Sequence, residues 1–478
     1  MNKKKPNILF AIADDASHMS AYGHSFVQTP NFDQVAKDGI LFNNAFATNP
    51  KCAPSRASIL TGKHTWQLEE ACNHFSLFPA KFSVFPDILE QAGYHIGFTG
   101  KGWAPGNWEK SGRKRNPAGN CYNQRKLIPP AGSKISNYDY TANFIDFLKQ
   151  KPQDKPFYFW YGGREPHRKY IPGEGIRAGK NLNDISTIPG YWPDDVVVRS
   201  DLLDYAYETE WFDRHLGMML SILKERRELE NTLLVVTSDN GAPFPRIKGQ
   251  MYEADFHLPL AISWPAFIRP GRKVDDLISF IDFAPTFFEV AGLEIPKDLP
   301  GKSLYNIFRS LDSGCIEQER EYVFMGKERH DLGRENDVGY PVRCIRTKKY
   351  LYVKNYRPDL WPAGNPETNF TNCDDSPTKS RILELANSKQ SEYFDLCFGK
   401  RPAEELYNIC SDPHCMNNLA EDKAFQKIKL KCSQRLKLEM KQTGDPRIYG
   451  NGSIFDSYPD FRTFKKTWQY YLRTKSNE

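Results

Sequence analysis

The strongest restriction on how this chain can fold is a series of short, continuous apolar runs set between stretches of helical periodicity. Ile8–Ala13, Ile96–Thr99, Phe157–Tyr161, Leu233–Thr237 and Leu260–Trp264 are rich in β-branched and aromatic residues. They do not alternate with polar residues, so they suit strands buried on both faces. Helical patterns lie between them at Pro30–Asp38, Ser55–Leu60, Val84–Ala92, Tyr140–Lys149 and Arg199–Glu225. The alternation predicts an α/β fold with a large, mostly parallel or mixed central sheet flanked by helices.

The pattern changes after about residue 330. Val342–Thr347 and Tyr350–Lys354 read as a hairpin turning at Lys348-Lys349, and Lys423–Lys441 as a basic helix packed on one face. Asn355–Gln390, rich in Pro, Asn, Asp and Ser, reads as a long loop. The expected division is therefore an α/β domain over 1–330 and a smaller C-terminal α+β domain over 331–478 with a short antiparallel sheet.

Composition narrows the functional classes. With 40% apolar and 26% charged residues among 478, the chain is neither disordered, collagen-like nor a coiled coil. No apolar stretch approaches the ~18 residues of a membrane span. A net charge of +6 over so long a chain does not point to nucleic acid, but it suits an anionic substrate if the excess gathers in one cleft. The start, Met1-Asn2-Lys3-Lys4-Lys5, resembles the basic end of a signal peptide. The apolar run behind it is too short and ends in Asp14-Asp15, so it reads as a first strand, with any secretory leader absent from this sequence. Ten cysteines include no CxxC pair; Cys410 with Cys415, and Cys373 with Cys397, are close enough in sequence to bridge.

Chemistry-bearing residues follow each apolar run. Asp14-Asp15 follow the first, Gly100-Lys101 the second, Arg164-Glu165-Pro166-His167 the third, and Asp239-Asn240-Gly241 the fourth. Ligands in open α/β sheets bind beyond the carboxyl ends of the strands, so these groups are expected along one edge. Asp14, Asp15, Asp239 and Asn240 offer hard oxygen donors suited to Ca²⁺ or Mg²⁺ and poor for zinc. A separate segment, Cys52-Ala53-Pro54-Ser55-Arg56-Ala57-Ser58-Ile59-Leu60-Thr61-Gly62, puts a thiol ahead of a helix start with Arg56 one turn on. Its residues alone allow two readings: a cysteine activated by the helix dipole and a fixed cation, or a buried structural thiol.

That segment, Cys-x-Pro-Ser-Arg followed four residues later by Thr-Gly, resembles the sulfatase signature in full. The resemblance implies an alkaline-phosphatase-like fold and conversion of Cys52 to Cα-formylglycine by a formylglycine-generating enzyme. One hydroxyl of the aldehyde hydrate would attack sulfur, and the other would expel the bound sulfate by elimination. It further implies Ca²⁺ held by Asp14, Asp15, Asp239 and Asn240 together with the modified Cys52. Arg56 would hold the hydrate, Lys101 and Lys248 the sulfate, and His167 would stand near the leaving group.

One position departs from the pattern. Family members commonly carry Gly-Lys-x-His, whereas this chain has Gly100-Lys101-Gly102-Trp103. Trp103 cannot take a proton, so another group is expected to assist elimination: His64 first, with His74, His257 or a water as alternatives. The stretch Glu404–Asn408 with Asp412-Pro413 and Asn418-Leu419 is similar to the end domain of the same family, and the segments Ser238–Pro245 and Tyr340–Arg343, the latter preceded by Arg329-His330, are similar to N-sulfoglucosamine sulfohydrolases. What this implies is a sulfated oligosaccharide or polysaccharide substrate, with N-sulfated glucosamine of heparan sulfate or heparin favoured. Arg329, His330 and Arg343 are the expected contacts to a neighbouring uronate. The alternatives are an O-sulfate ester of another glycosaminoglycan or algal polysaccharide, a phosphodiesterase, and a non-catalytic glycan binder. Such substrates place the protein in a periplasm, a lysosome or the extracellular space.

Overall fold

The computed structural model describes residues 5–462 and 467–475, so the first four residues of the basic start lie outside the described residues. A seven-stranded sheet runs in the order His95–Gly100, Phe157–Gly162, Asn7–Ala13, Thr232–Ser238, Leu260–Ser263, Ile40–Phe42 and Arg272–Val274. The first four strands are mutually parallel, and only Leu260–Ser263 runs against the rest. The mixed α/β architecture follows the sequence pattern, because continuous apolar runs need cover on both faces. Ile8, Phe10 and Ile12 join one buried cluster with Tyr158, Trp160, Leu233 and Val235. Their neighbours Leu9 and Ala11 join a second with Phe159, Leu234 and Val236, against Phe144, Phe147, Phe212 and Leu216 from helices Tyr140–Gln150 and Val196–Glu225.

A second, four-stranded antiparallel sheet is ordered Tyr322–Lys327, Val342–Thr347, Tyr350–Asn355 and Glu404–Asn408. Helix Gln426–Gln442 covers one face, with Cys432, Leu436 and Met440 packed against Ile345, Tyr352 and Leu406. The strand Tyr322–Lys327 already belongs to this sheet, ahead of the division expected at 330/331.

Two local expectations fail. The supposed loop Asn355–Gln390 contains helix Pro377–Leu385, whose start is capped by the Ser376 hydroxyl accepting from the Lys379 amide at 3.0 Å. It docks on Val196–Glu225, where Thr378 Oγ1 donates to Asp201 at 2.6 Å. Its polar composition is loop-like, but a Ser-Pro start supplies both the cap and a preset first turn. The cysteines are all unbonded, and in the Cys410–Cys415 pair one thiol is exposed while the other is buried.

Candidate active site

Strand register assembles the acidic cluster. Ala13 lies opposite Ser238 on adjacent parallel strands, so Asp14-Asp15 and Asp239-Asn240 leave the sheet side by side. Gly100 pairs with Gly162 on the other side, bringing Lys101 and the segment leading to His167 to the same edge. Gly100 adopts φ 76°, and a Cβ there would stand 2.0 Å from the Gly162 carbonyl, so only glycine fits this approach. Asp15 also holds a left-handed φ of 74°, which is strained for a non-glycine residue. Its amide donates to Asp239 Oδ1 at 3.1 Å, tying the strained residue to the opposite strand end.

The carboxylate oxygens of Asp14, Asp15 and Asp239 lie within 4.8 Å of one another, all three residues buried. Such a group needs surrounding positive charge. Lys101 Nζ donates to Asp14 Oδ2 at 2.6 Å, Lys248 Nζ to Asp15 Oδ2 at 2.6 Å, and Arg56 Nε to Asp239 Oδ2 at 2.7 Å. Burial alone would raise the Asp14 carboxyl, but the charges of Lys101, His167, Arg56 and Lys248 hold it well below the usual carboxylate range. For Asp239 burial prevails over Arg56, and the carboxyl is pushed up to about 7. Asp14 Oδ1 and Asn240 Oδ1 are buried without a hydrogen-bond partner. Unpartnered oxygens beside three converging carboxylates fit a hard divalent cation.

Helix Cys52–Thr61 begins at the cysteine itself and ends at Gly62, whose left-handed backbone returns its amide to the Ser58 carbonyl. All ten helical residues are buried. The helix is fixed from the acidic edge: Ser55 Oγ donates to the Asp239 carbonyl at 2.6 Å, and Arg56 spans from Asp239 to the Lys101 carbonyl at 2.7 Å. Cys52 Sγ is 3.9 Å from Asp15 Oδ1. The helix start does not activate the thiol. Burial first, and the Asp14 charge second, push it well above the usual thiol range.

A cavity of about 670 Å³ opens over this edge, lined by Asp14, Lys101, His167 and His74 among others. His167 Nδ1 lies 2.6 Å from the Arg168 carbonyl, which can only accept, so Nδ1 carries the proton and Nε2 is left facing Asp15 Oδ2 at 3.9 Å. Asp374, from the stretch expected to be loop, pairs with Lys248 at 2.9 Å. Lys51, just ahead of the nucleophile position, pairs with Asp331 at 2.8 Å, and Asp331 Oδ1 meets His74 Nδ1 at 3.0 Å. No motif marked Asp374, Lys51 or Asp331; the Asp374-Asp375 doublet was the only signal available.

Other expected residues are placed elsewhere. Arg343 is fully buried between Asp445 and Glu328, at 2.6 and 2.7 Å, and has no face free for a sugar. Arg329 is spent on the carbonyls of Asp456, Tyr458 and Pro459 in the C-terminal segment. His330 is 1% exposed and lines neither cavity beside the cluster. Burial and the nearby Lys327 and Lys51 charges push its imidazole well below the usual range. His64 stacks on Trp66 and meets Glu439 at 3.2 Å, away from the edge, and His257 is divided between Glu253 and the Asn43 carbonyl. Of the three alternatives to the missing histidine, only His74 lines the cavity. Trp103 itself is buried, its indole Nε1 donating to the Ala53 carbonyl at 2.9 Å, so it clamps the nucleophile helix instead of facing substrate.

Sheet order, second sheet and acidic edge together define an alkaline-phosphatase-like hydrolase. Residues 6–293 match the sulfatase family model, and the chain belongs to the sulfatase family. It is thus a hydrolase of sulfate esters or sulfamates. Residues 247–363 match a second model, the N-sulphoglucosamine sulphohydrolase C-terminal region. Human N-sulphoglucosamine sulphohydrolase is 28% identical, with 94% of this chain and 93% of that protein covered. An ulvan-active sulfatase of Formosa agariphila is 29% identical over 92% of this chain and 81% of its own length. The N-acetylglucosamine-6-O-sulfatase of Bacteroides thetaiotaomicron is 27% identical over 82% and 87%. A structure solved with its substrate D-glucosamine-2-N,6-O-disulfate superposes with a TM-score of 0.66 at 22% identity, covering 92% of this chain and 99% of that one. The phosphonate monoester hydrolase of Agrobacterium radiobacter also reaches 0.66, at 19% identity with 93% and 97% covered, so the fold alone does not select the substrate.

Proposed function

We propose that this sulfatase removes the N-sulfate of glucosamine units in heparan sulfate or heparin fragments. It would use a formylglycine at position 52 and a Ca²⁺ ion held by Asp14, Asp15, Asp239 and Asn240. The observation that carries the substrate is the match of residues 247–363 to the N-sulphoglucosamine sulphohydrolase C-terminal model, joined by the near full-length similarity to the human enzyme. The full Cys52–Gly62 signature at the start of a buried helix beside the acidic edge supports a modified residue as nucleophile. Once converted by a formylglycine-generating enzyme, position 52 supplies a hydrate oxygen, and the cation supplies positive charge for the sulfate oxygens.

The chain's own residues do the rest. Arg56, locked between Asp239 and the Lys101 and Gly102 carbonyls, fixes the start of the nucleophile helix. Lys101 and Lys248 bring ammonium groups to the place where sulfate charge shifts during transfer. His167, with Nδ1 held by the Arg168 carbonyl, presents Nε2 to the cavity. In its protonated form it donates to the departing group, an amine for a sulfamate and an alcohol for an ester. Such substrates place the protein in a periplasm, a lysosome or outside the cell; among the described residues no helix is long and apolar enough to cross a membrane.

A second reading, O-sulfate hydrolysis on a glycosaminoglycan or algal polysaccharide, draws on the similarity to the ulvan-active and 6-O-sulfatases. Sulfate release from glucosamine carrying a single N-, 3-O- or 6-O-sulfate, and from a glucosamine disaccharide carrying a single 2-O-sulfate on its uronate, separates the two. Release from the N-sulfate alone supports the sulfamidase, and release from an O-sulfate alone replaces it with the ester reading.

A further inference from the structure

The cavity carries more positive charge than the sulfate chemistry uses. Its lining includes Asp14, Lys101, Lys134, Arg164, Glu165, Arg168, Lys169 and Glu208. Several of these cancel one another. Lys101 is paired with Asp14, and Arg168 makes a two-pronged contact to Asp201 at 2.7 and 2.8 Å. Glu165 spends one oxygen on the Ser136 amide and the other on the Tyr140 hydroxyl, at 2.8 and 2.7 Å. Glu208 is buried beside Glu165 and Glu174; burial, then those two charges, push its carboxyl well above the usual range, so it adds little negative charge.

Lys134, Arg164 and Lys169 remain. All three are exposed at the rim, and among the described residues none of their head groups forms a salt bridge; the Arg164 charge acts on the neighbouring Glu165, whose two oxygens are already taken. Arg164 leans on the Tyr138 ring, 5.4 Å from its centre, which holds the guanidinium without neutralising it. Three unpaired cations around one opening repel each other and are stabilised by an anion between them. They come from two separate segments, the loop before helix Tyr140–Gln150 and the turn after strand Phe157–Gly162.

We infer that Lys134, Arg164 and Lys169 form a second anion-binding subsite for a sulfate or carboxylate on the substrate, separate from the group being hydrolysed. The inference rests on the sulfatase reading of the cleft and deepens it: the preferred substrate is a sugar with at least two anionic groups. The subsite acts through binding, because none of the three residues contacts the acidic cluster or Cys52.

The test compares a glucosamine monosulfate with the same sugar bearing a second sulfate, and with a disaccharide bearing a uronate carboxylate. Wild type and the triple variant Lys134→Gln/Arg164→Gln/Lys169→Gln are assayed for sulfate release. Binding of the same compounds to the Cys52→Ala protein, with and without the triple change, is measured by calorimetry at low and high salt. The second anion is expected to lower KM by roughly tenfold or more in wild type. The triple variant should erase that advantage while leaving kcat on the monosulfate unchanged. The arm that shows the advantage identifies the group as sulfate or carboxylate. An advantage that survives in the triple variant, or is absent from wild type, overturns the inference. If wild type releases sulfate from none of the sugars, the proposed function fails, and the salt-dependent binding to the Cys52→Ala protein decides the subsite independently.

Discussion

Replacing Arg343 with Met separates a structural role from a sugar contact. Arg343 Nε and a terminal nitrogen meet Asp445 at 2.6 and 3.0 Å, and the guanidinium also meets Glu328 at 2.7 Å. Methionine removes all three contacts but keeps much of the apolar stem. Glu328 retains Arg447 Nε at 2.7 Å, whereas Asp445, buried at 0%, is left with the Arg447 amide at 3.0 Å. One uncompensated buried carboxylate costs ~3–5 kcal/mol, and the surviving Arg447 contacts place this case toward the lower end. Lysine should rescue little, because a single ammonium cannot reproduce the guanidinium fork. Urea unfolding should show an earlier midpoint for Arg343→Met, while KM for a small sulfated sugar stays within about twofold, since a buried group has no uniform binding to lose. An unchanged midpoint with a tenfold rise in KM would refute the reasoning and return Arg343 to the substrate.

Three other perturbations probe the site and its support. Added Ca²⁺ should raise the melting temperature of wild type, by ~2.7 kcal/mol of stability at a hundredfold excess over Kd, and Asp239→Ala should remove the response; melting indifferent to Ca²⁺ counts against the acidic cluster as a cation site. Trp103→Phe should cost ~0.5–1.5 kcal/mol by removing the indole bond to the Ala53 carbonyl, and equal stability would show that the bond is idle. Glu174, raised to about 7 by burial and then by Asp204, is a carboxyl whose folded state prefers the proton. Glu174→Gln should therefore gain stability over wild type as pH climbs from about 4.5 through 7; a gap that does not change with pH would show that the carboxyl is ordinary.

Much of the site was legible because its residues follow strands. Apolar runs announce where a buried strand ends, and parallel strands in one sheet share an edge, so Asp14, Asp15, Lys101, His167, Asp239 and Asn240 could be grouped before any coordinates. The segment from Cys52 to Gly62 stood out through its resemblance to the sulfatase signature, because its residues alone left the role of the thiol open. The helix Pro377–Leu385 was hidden because a Ser-Pro start looks like loop composition, and Asp374 was hidden with it.

The C-terminal residues show where local pattern stops. Arg329 and Arg343 lie in a segment that resembles a substrate-binding region, yet Arg343 is tied to Asp445 and Arg329 to the carbonyls of Asp456 and Tyr458, all more than a hundred positions away. His64, close to the nucleophile helix in sequence, turns toward Glu439, while the more distant His74 reaches the cavity. The sequence by itself determined the strands, the edge at which they deliver their polar groups and the oxygen-rich character of that edge, because burial and periodicity act over a few residues. Only the tertiary structure decided which charges are spent and which remain free, because neutralising a buried charge depends on partners that folding brings from anywhere in the chain.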